Sequence, residues 1–224
     1  MVIELYFINI AQSVNHDYQA LLSEIELEKA HRFRSEMLKN QYICRHGILR
    51  SILGKKLHIE PKCLAIFSSS KGKPYLEFNP IYFNFSYSDE MAVLAIHPER
   101  EIGVDIEKME KQADLLEVAR QHFSKEEYQT LLKSDQQISL FYQIWTQKEA
   151  FIKAIGDGLS HSLDHFTVYT GLVNDFYHPI KGQGAVYEGW QTQVIRATEG
   201  YMVAVASHEP LLPVRLMKWE ANLE

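Results

Sequence analysis

The stretch "IGVDIE", residues 102–107, reads as a buried strand that nevertheless carries two acids two positions apart. Strand alternation puts Ile102, Val104 and Ile106 on one face and Gly103, Asp105 and Glu107 on the other. The Cα atoms of the two acids then lie roughly 6.6 Å apart, near enough for both carboxylates to reach one cation. Like charges held this close are costly unless something positive sits between them. On these six residues alone, the solvated polar face of an ordinary amphipathic strand explains the pattern too.

The second informative stretch is "WTQKEAFIKAIGDGLS", residues 145–160. At helical spacing Phe141, Ile144, Trp145, Ile152 and Ile155 form an apolar stripe. Trp145, Glu149 and Lys153 follow one another at i, i+4 and i+8 along one side. Gly156 and Gly158 supply the stop. Read locally, Glu149 and Lys153 also make an ordinary helix-stabilising ion pair worth about 0.2–0.5 kcal/mol.

Around these stretches lie 224 residues, 46% of them hydrophobic, enough for one large domain or two compact ones. No apolar run approaches the roughly 20 residues that span a bilayer. "MVIELYFINIA" carries Glu4 and no basic n-region, so it reads as a first strand rather than a signal peptide. Cys44 and Cys63 are too few for a disulfide framework or a cysteine-based zinc site, and a reduced, cytoplasmic setting is expected. A net charge of −6 argues against general nucleic-acid binding. Residues 29–58, however, hold eight Lys/Arg against one acid, Glu36, which points to a defined anionic ligand or to helices with solvated basic faces.

The periodicity predicts a helix through "VNHDYQALLSEIELEKAHRF", with Leu21, Leu22, Ile25, Leu27 and Phe33 inward, and a second over about 40–56. "CLAIFSS" reads as a strand, "SSSKGKPY" as a loop, and "IYFNFSYS" with "MAVLAI" as a hairpin turning at Ser88–Glu90. Pro98, in a charged stretch, marks a candidate domain boundary. Helices are expected at about 112–122, 124–133 and 136–155, followed by short β runs. "MAVLAIHPE" (91–99) is echoed by "MVAVASHEP" (202–210), 111 residues later, as two similar halves would leave it.

"GVDIE" followed by "WxxKEAxxKxxGxGL" resembles the signature of the Sfp-type 4′-phosphopantetheinyl transferases. "EKAHRF", "GKPY" (72–75), "FNFSYS" (83–88) and "FSKEE" (123–127) extend the likeness over nearly the full length. The resemblance implies two similar, pseudo-symmetric α/β lobes (an α+β arrangement), each a small sheet packed with helices. They would cover 1–100 and 101–224, with the active site in the cleft. It implies transfer of the phosphopantetheine arm of coenzyme A onto a serine of an acyl or peptidyl carrier protein, releasing 3′,5′-ADP. No nucleic acid or membrane would be involved, and a monomer would suffice because one chain supplies both lobes.

By the same resemblance Asp105, Glu107 and Glu149 would ligand Mg²⁺, with Mn²⁺ as an alternative. Glu149, directly or through a water, would be the general base for the carrier serine. Lys153 would stabilise the departing pyrophosphate charge. Lys29 and Lys73 match residues that hold the 3′-phosphate of coenzyme A, with Ser86 beside the nucleotide and Arg45 as a further phosphate contact. Lys148 is a second candidate for the phosphates or a side chain snorkelling from a packed surface. Trp145 reads as a packing anchor. Glu127 matches a further acid near the metal, or simply favours the start of its helix. The departure is Tyr87, which stands where the family usually has histidine and cannot become cationic. Lys29 also lacks a second nearby basic residue, Glu26 lying one turn earlier. A metal-dependent phosphohydrolase and a non-catalytic binding module remain alternatives to the transferase.

Overall fold

The structure, a computed structural model, describes residues 1–13, 17–78, 80–112, 114–158, 161–196 and 199–219. The first half runs β1 (Ile3–Asn9), α1 (Ile10–Ser13), α2 (Glu24–His31), α3 (Glu36–Leu57), β2 (Ile66–Ser68), β3 (Pro74–Leu76), β4 (Tyr82–Ser88) and β5 (Met91–His97). The second runs β6 (Ile102–Lys108), α4 (Leu115–His122), α5 (Lys125–Leu132), α6 (Gln137–Ile155), β7 (Phe166–Thr167), β8 (His178–Pro179), β9 (Lys181–Gly182), β10 (Trp190–Ile195), β11 (Tyr201–His208) and β12 (Val214–Lys218). The helix expected through residues 14–33 is broken. Ser23 and Glu26 form a capping box that starts α2 afresh, so Ile25, placed inward by the periodicity, is exposed.

Two four-stranded sheets carry the fold, in the orders β12-β1-β5-β4 and β6-β11-β10-β8. Within them β1-β5-β4 and β6-β11-β10 have the same antiparallel order, and a long helix, α3 or α6, precedes each hairpin. The echoed segments 91–99 and 202–210 hold β5 and all but the first residue of β11, the middle strands of the two triplets. One apolar cluster lies beneath α3 and a second beneath α6. A third, holding Ile3, Val93, Ile102, Val104, Ile106 and Val203, lies between the sheets.

The repeat extends to a buried clamp in each lobe. Ser23 and Glu26 cap α2 as Ser124 and Glu127 cap α5. Glu26 accepts from Arg50 on α3 at 2.5 Å, and Glu127 pairs with Lys148 on α6 at 2.8 Å. Each base also donates to the chain beyond its helix: Arg50 to the Pro61 and Leu64 carbonyls, Lys148 to those of Leu163 and Phe166. A carboxylate and a base leave water only when their hydrogen-bonding positions find partners, and the three N–H groups of Lys148 all do.

The expected division at 100/101 is crossed by the end of the chain. β12 pairs in parallel with β1 (Ile3 opposite Val214, Phe7 opposite Lys218), so residues 214–218 belong to the first sheet. Apolar β1 would otherwise be an open edge inviting further strands.

Candidate active site

β4 and β6, edge strands of different sheets, meet through side chains instead of a backbone ladder. Every second residue of β4 crosses over. Val104 N donates to Asn84 Oδ1 (2.9 Å), Ser86 Oγ to Asp105 Oδ1 (2.9 Å) and Ser88 Oγ to Glu107 Oε2 (2.9 Å). Lys108 N returns a bond to Ser88 Oγ at 3.1 Å. α6 presses on β6 from the other side. A Cβ at Gly103 would lie 1.8 Å from the Ala150 carbonyl oxygen and 2.5 Å from Ala154 N, so only glycine allows this approach. That contact brings Glu149 and Lys153 of α6 over the acids of β6.

Lys153 Nζ reaches Asp105 Oδ1 (2.5 Å) and Ser86 Oγ (2.9 Å). Asp105 Oδ2 is buried without a hydrogen-bond partner among the described residues. Burial raises the Asp105 carboxyl above the usual range even though Lys153 opposes it. Glu107 is pushed up to about 7, by burial first and then by the charge of Asp105, with Glu149 adding to it. Glu149 is raised by burial and Asp105, with Lys153 opposing. The three carboxylates therefore repel one another around a deficit of positive charge that Lys153 alone does not fill. Among the described residues no three His, Cys, Asp or Glu side chains form a preformed metal cage. The partnerless oxygen and the mutual repulsion fit a hard cation that takes few carboxylates and keeps waters, as Mg²⁺ does.

The cluster faces two openings. Glu149 and Lys153 line a groove of about 280 Å³ together with Lys71, Lys73, Asn84 and Gly158. Glu107 and Ser88 line another of about 510 Å³, walled by Phe141 and Trp145. Trp145 stacks on Phe141 and meets His122 edge-on, a packing role as expected.

Cations border β4 on the α2–α3 side. The Arg45 guanidinium sits 3.7 Å from the centre of the Tyr87 ring, and Lys29 Nζ lies 5.5 Å over Tyr42. Glu26, one turn before Lys29, is occupied by Arg50 and His46 and does not pair with it. Lys73 is not placed as expected. Its ammonium donates to the Ala154 carbonyl (2.7 Å), the Ile102 carbonyl (3.3 Å) and Glu101, which uses its three N–H groups and leaves none for a phosphate. It ties the 69–74 loop to the C-terminal end of α6.

Lys148 and Glu127 are corrections as well. Both side chains are wholly inaccessible, so Lys148 neither contacts a phosphate nor snorkels to water. Glu127 accepts from Ser124 N (2.7 Å), Val168 N (2.8 Å) and Lys148, and is wholly closed to solvent, away from the acids of the seam. Asn84, Ser88 and Gly103 were missed as site-builders. The alternation of small polar residues in "FNFSYS" was the signal for Asn84 and Ser88. Leu159 and Ser160, the end of the helix motif, lie outside the described residues.

A seam of acids beneath a lysine, reached from two sides and bordered by cations, suits a hard cation and an anionic ligand. Residues 101–206 match the family model for the 4′-phosphopantetheinyl transferase superfamily. The chain is 37% identical over 155 residues to the 4′-phosphopantetheinyl transferase HetI of Nostoc sp., covering 66% of this chain and 65% of HetI, just under two thirds of it. It is 32% identical over 162 residues to Sfp of Bacillus subtilis, 71% of each chain. A further 4′-phosphopantetheinyl transferase of Bacillus subtilis is 32% identical over 197 residues, 85% of this chain and 84% of that one. The chain belongs to the 4′-phosphopantetheinyl transferase family of enzymes.

Proposed function

We propose that this protein moves the phosphopantetheine arm of coenzyme A onto a serine hydroxyl of an acyl or peptidyl carrier protein, releasing 3′,5′-ADP. The observation that carries the reading is Asp105. It is buried, held on one oxygen by Lys153 and Ser86, unpartnered on the other, and flanked by acids that face separate openings. Two openings onto one charged cluster suit two substrates meeting there.

Asp105, Glu107 and Glu149 would hold Mg²⁺, which when bound neutralises charge on the pyrophosphate. Glu149, its carboxyl raised by burial, takes the proton of the attacking serine. The serine oxygen bonds to the pantetheine-bearing phosphorus, the bond from that phosphorus to the bridging oxygen breaks, and 3′,5′-ADP leaves with that oxygen. Lys153, still partly open to solvent, stands beside the acids to stabilise the charge on the leaving group. Arg45 and Lys29 would meet the 3′-phosphate at the far end of the nucleotide. The deciding experiment is the intact mass of an apo carrier protein incubated with this protein, coenzyme A and Mg²⁺, beside an EDTA control. A metal-dependent gain of one phosphopantetheinyl arm is expected. An unchanged carrier with hydrolysed coenzyme A would establish a phosphohydrolase instead.

A further inference from the structure

β4 and β12 are the opposite edges of the first sheet, as β6 and β8 are of the second. The acid seam joins β4 to β6. Toward the far edges a cleft of about 400 Å³ lies between β10 and residues 211–216, the segment that crosses to the first sheet. Ile195, Leu212 and Val214 wall it as part of the apolar layer between the sheets, and two polar side chains share that lining. His178 pairs with Thr192, and the same antiparallel register sets Tyr177 opposite Gln193. Gln193 lies on the strand face of Ile195 and is only 8% exposed. Its Nε2 donates to the Asp175 carbonyl at 2.8 Å, which fixes the amide with Oε1 turned the other way. Oε1 is buried without a partner among the described residues, and so is the Tyr177 hydroxyl. Leaving either group unmet is costly.

The two needs are complementary. Gln193 Oε1 can only accept, and the Tyr177 hydroxyl, raised far above its usual range by burial, keeps a proton to donate. A group that meets both must donate and accept from one end. A carboxylate has no proton for Gln193, and an ammonium has no lone pair for Tyr177. The exposed part of the lining holds Asp175 and Arg196, one charge of each sign, so it favours neither. Apolar walls around a few convergent polar groups are the usual form of a small-molecule site. We propose that this cleft is a second binding site, separate from the acid seam, for a small neutral molecule with an aliphatic body and a carboxamide or hydroxyl head. The head donates to Gln193 Oε1 and accepts from the Tyr177 hydroxyl, while the body lies against Ile195, Leu212 and Val214. Such an occupant bridges the second sheet and the segment that crosses to the first, at the edge remote from the seam. The site stands whether or not the seam transfers phosphopantetheine.

The test is an NMR titration of the isotopically labelled full chain with isovaleramide and, separately, with isovalerate. Isovaleramide should shift the Gln193 side-chain amide and the backbone signals of Tyr177 and Leu212 saturably. Isovalerate, the same shape with a charged head, should leave them in place. Tyr177→Phe should weaken isovaleramide about fivefold to tenfold, the scale of one hydrogen bond. The variant should match or exceed the urea midpoint of the parent, because it drops a buried hydroxyl with no protein partner. A clear loss of midpoint would show that a fixed water already meets the hydroxyl, and the cleft would be a hydration site instead. Equal binding of isovalerate would overturn the neutral head, and shifts from neither compound would overturn the site. So would a Tyr177→Phe variant that binds isovaleramide as tightly as the parent.

Discussion

Lys148 and Lys153 leave the same helix five residues apart, and each meets a carboxylate. Around Lys148 every position is filled: Glu127, two carbonyls and the face of Phe166 surround an ammonium with no access to water. Around Lys153 one carboxylate oxygen has no partner, two further acids are raised, and the ammonium keeps a path to solvent. The first lobe repeats the clamp with Arg50 and Glu26, less completely closed to solvent. Saturation marks a charge that holds the fold, and an unmet valence marks one that waits for a ligand.

The comparison breaks most directly at Lys148. Lys148→Met leaves Glu127 ionised in the core and should cost about 3–5 kcal/mol in urea denaturation. The double variant Lys148→Met/Glu127→Gln should recover part of that loss. A single variant within about 1 kcal/mol of the parent would show that the pair does not hold the fold.

At the seam the ranking of stability and activity reverses. Lys153→Met should slow carrier modification about 10²–10³-fold, the scale for removing one preorganised charge-stabilising donor. It also leaves Asp105 without its counter-ion, so the comparison is made on Lys153→Met/Asp105→Asn, whose urea midpoint should lie near that of the parent. Asp105→Asn removes a buried, partly unsatisfied carboxylate, so it should be at least as stable as the parent while losing transfer. If Asp105→Asn unfolded as readily as Lys148→Met, the seam would be a structural clamp like the other.

These pairs also show what the sequence could reveal. That Asp105, Glu107, Glu149 and Lys153 lie together was legible because the strand period put the two acids of β6 on one face, the helix period put Glu149 and Lys153 on one side of α6, and the family resemblance linked the two elements. Lys148 and Glu127 were misplaced because a lysine in an apolar stripe has the same spacing whether it snorkels or is paired, and its partner is a capping glutamate 21 residues earlier. The placement of Lys73 was hidden in the same way: besides Glu101, its acceptors are the Ala154 and Ile102 carbonyls, backbone atoms that no side-chain pattern records. The crossover of β12 left no local mark either. Its strand character was readable, but its partner β1 is set by tertiary packing.

Gly103 sharpens the comparison geometrically, because it fixes how closely α6 approaches β6. Gly103→Ala should cost about 1–3 kcal/mol through overpacking against backbone that cannot yield. Because it lifts Glu149 and Lys153 from Asp105 together, transfer should fall with stability. Parent-like transfer in a folded Gly103→Ala protein would mean the close contact is not needed for alignment.

The smallest expected effect separates the two kinds of charge by the sign of their pH dependence. Glu107 titrates at about 7 in the folded chain, against an ordinary 4.5. Between these values the folded protein holds a proton that the unfolded chain has released, so this group makes stability fall as pH rises through the window and level off above it. Glu26 is the reverse. Burial would raise it, but His46, the Ser23 N–H and Arg50 outweigh burial and hold it at about 2. Its contribution is complete above the ordinary value and is lost as pH falls toward 2. Metal-free urea midpoints should therefore show Glu107→Gln gaining on the parent between about pH 5 and about pH 8, with no matching trend for Glu26→Gln. Asp105 and Glu149 are also raised, but they are present in parent and variant alike, so the difference isolates Glu107. The effect is modest because Glu107 keeps some access to solvent, which screens the repulsion. A parent-to-Glu107→Gln difference that stayed flat across that range would mean the acids of the seam do not repel one another, and the contrast with the filled clamps would lose its electrostatic basis.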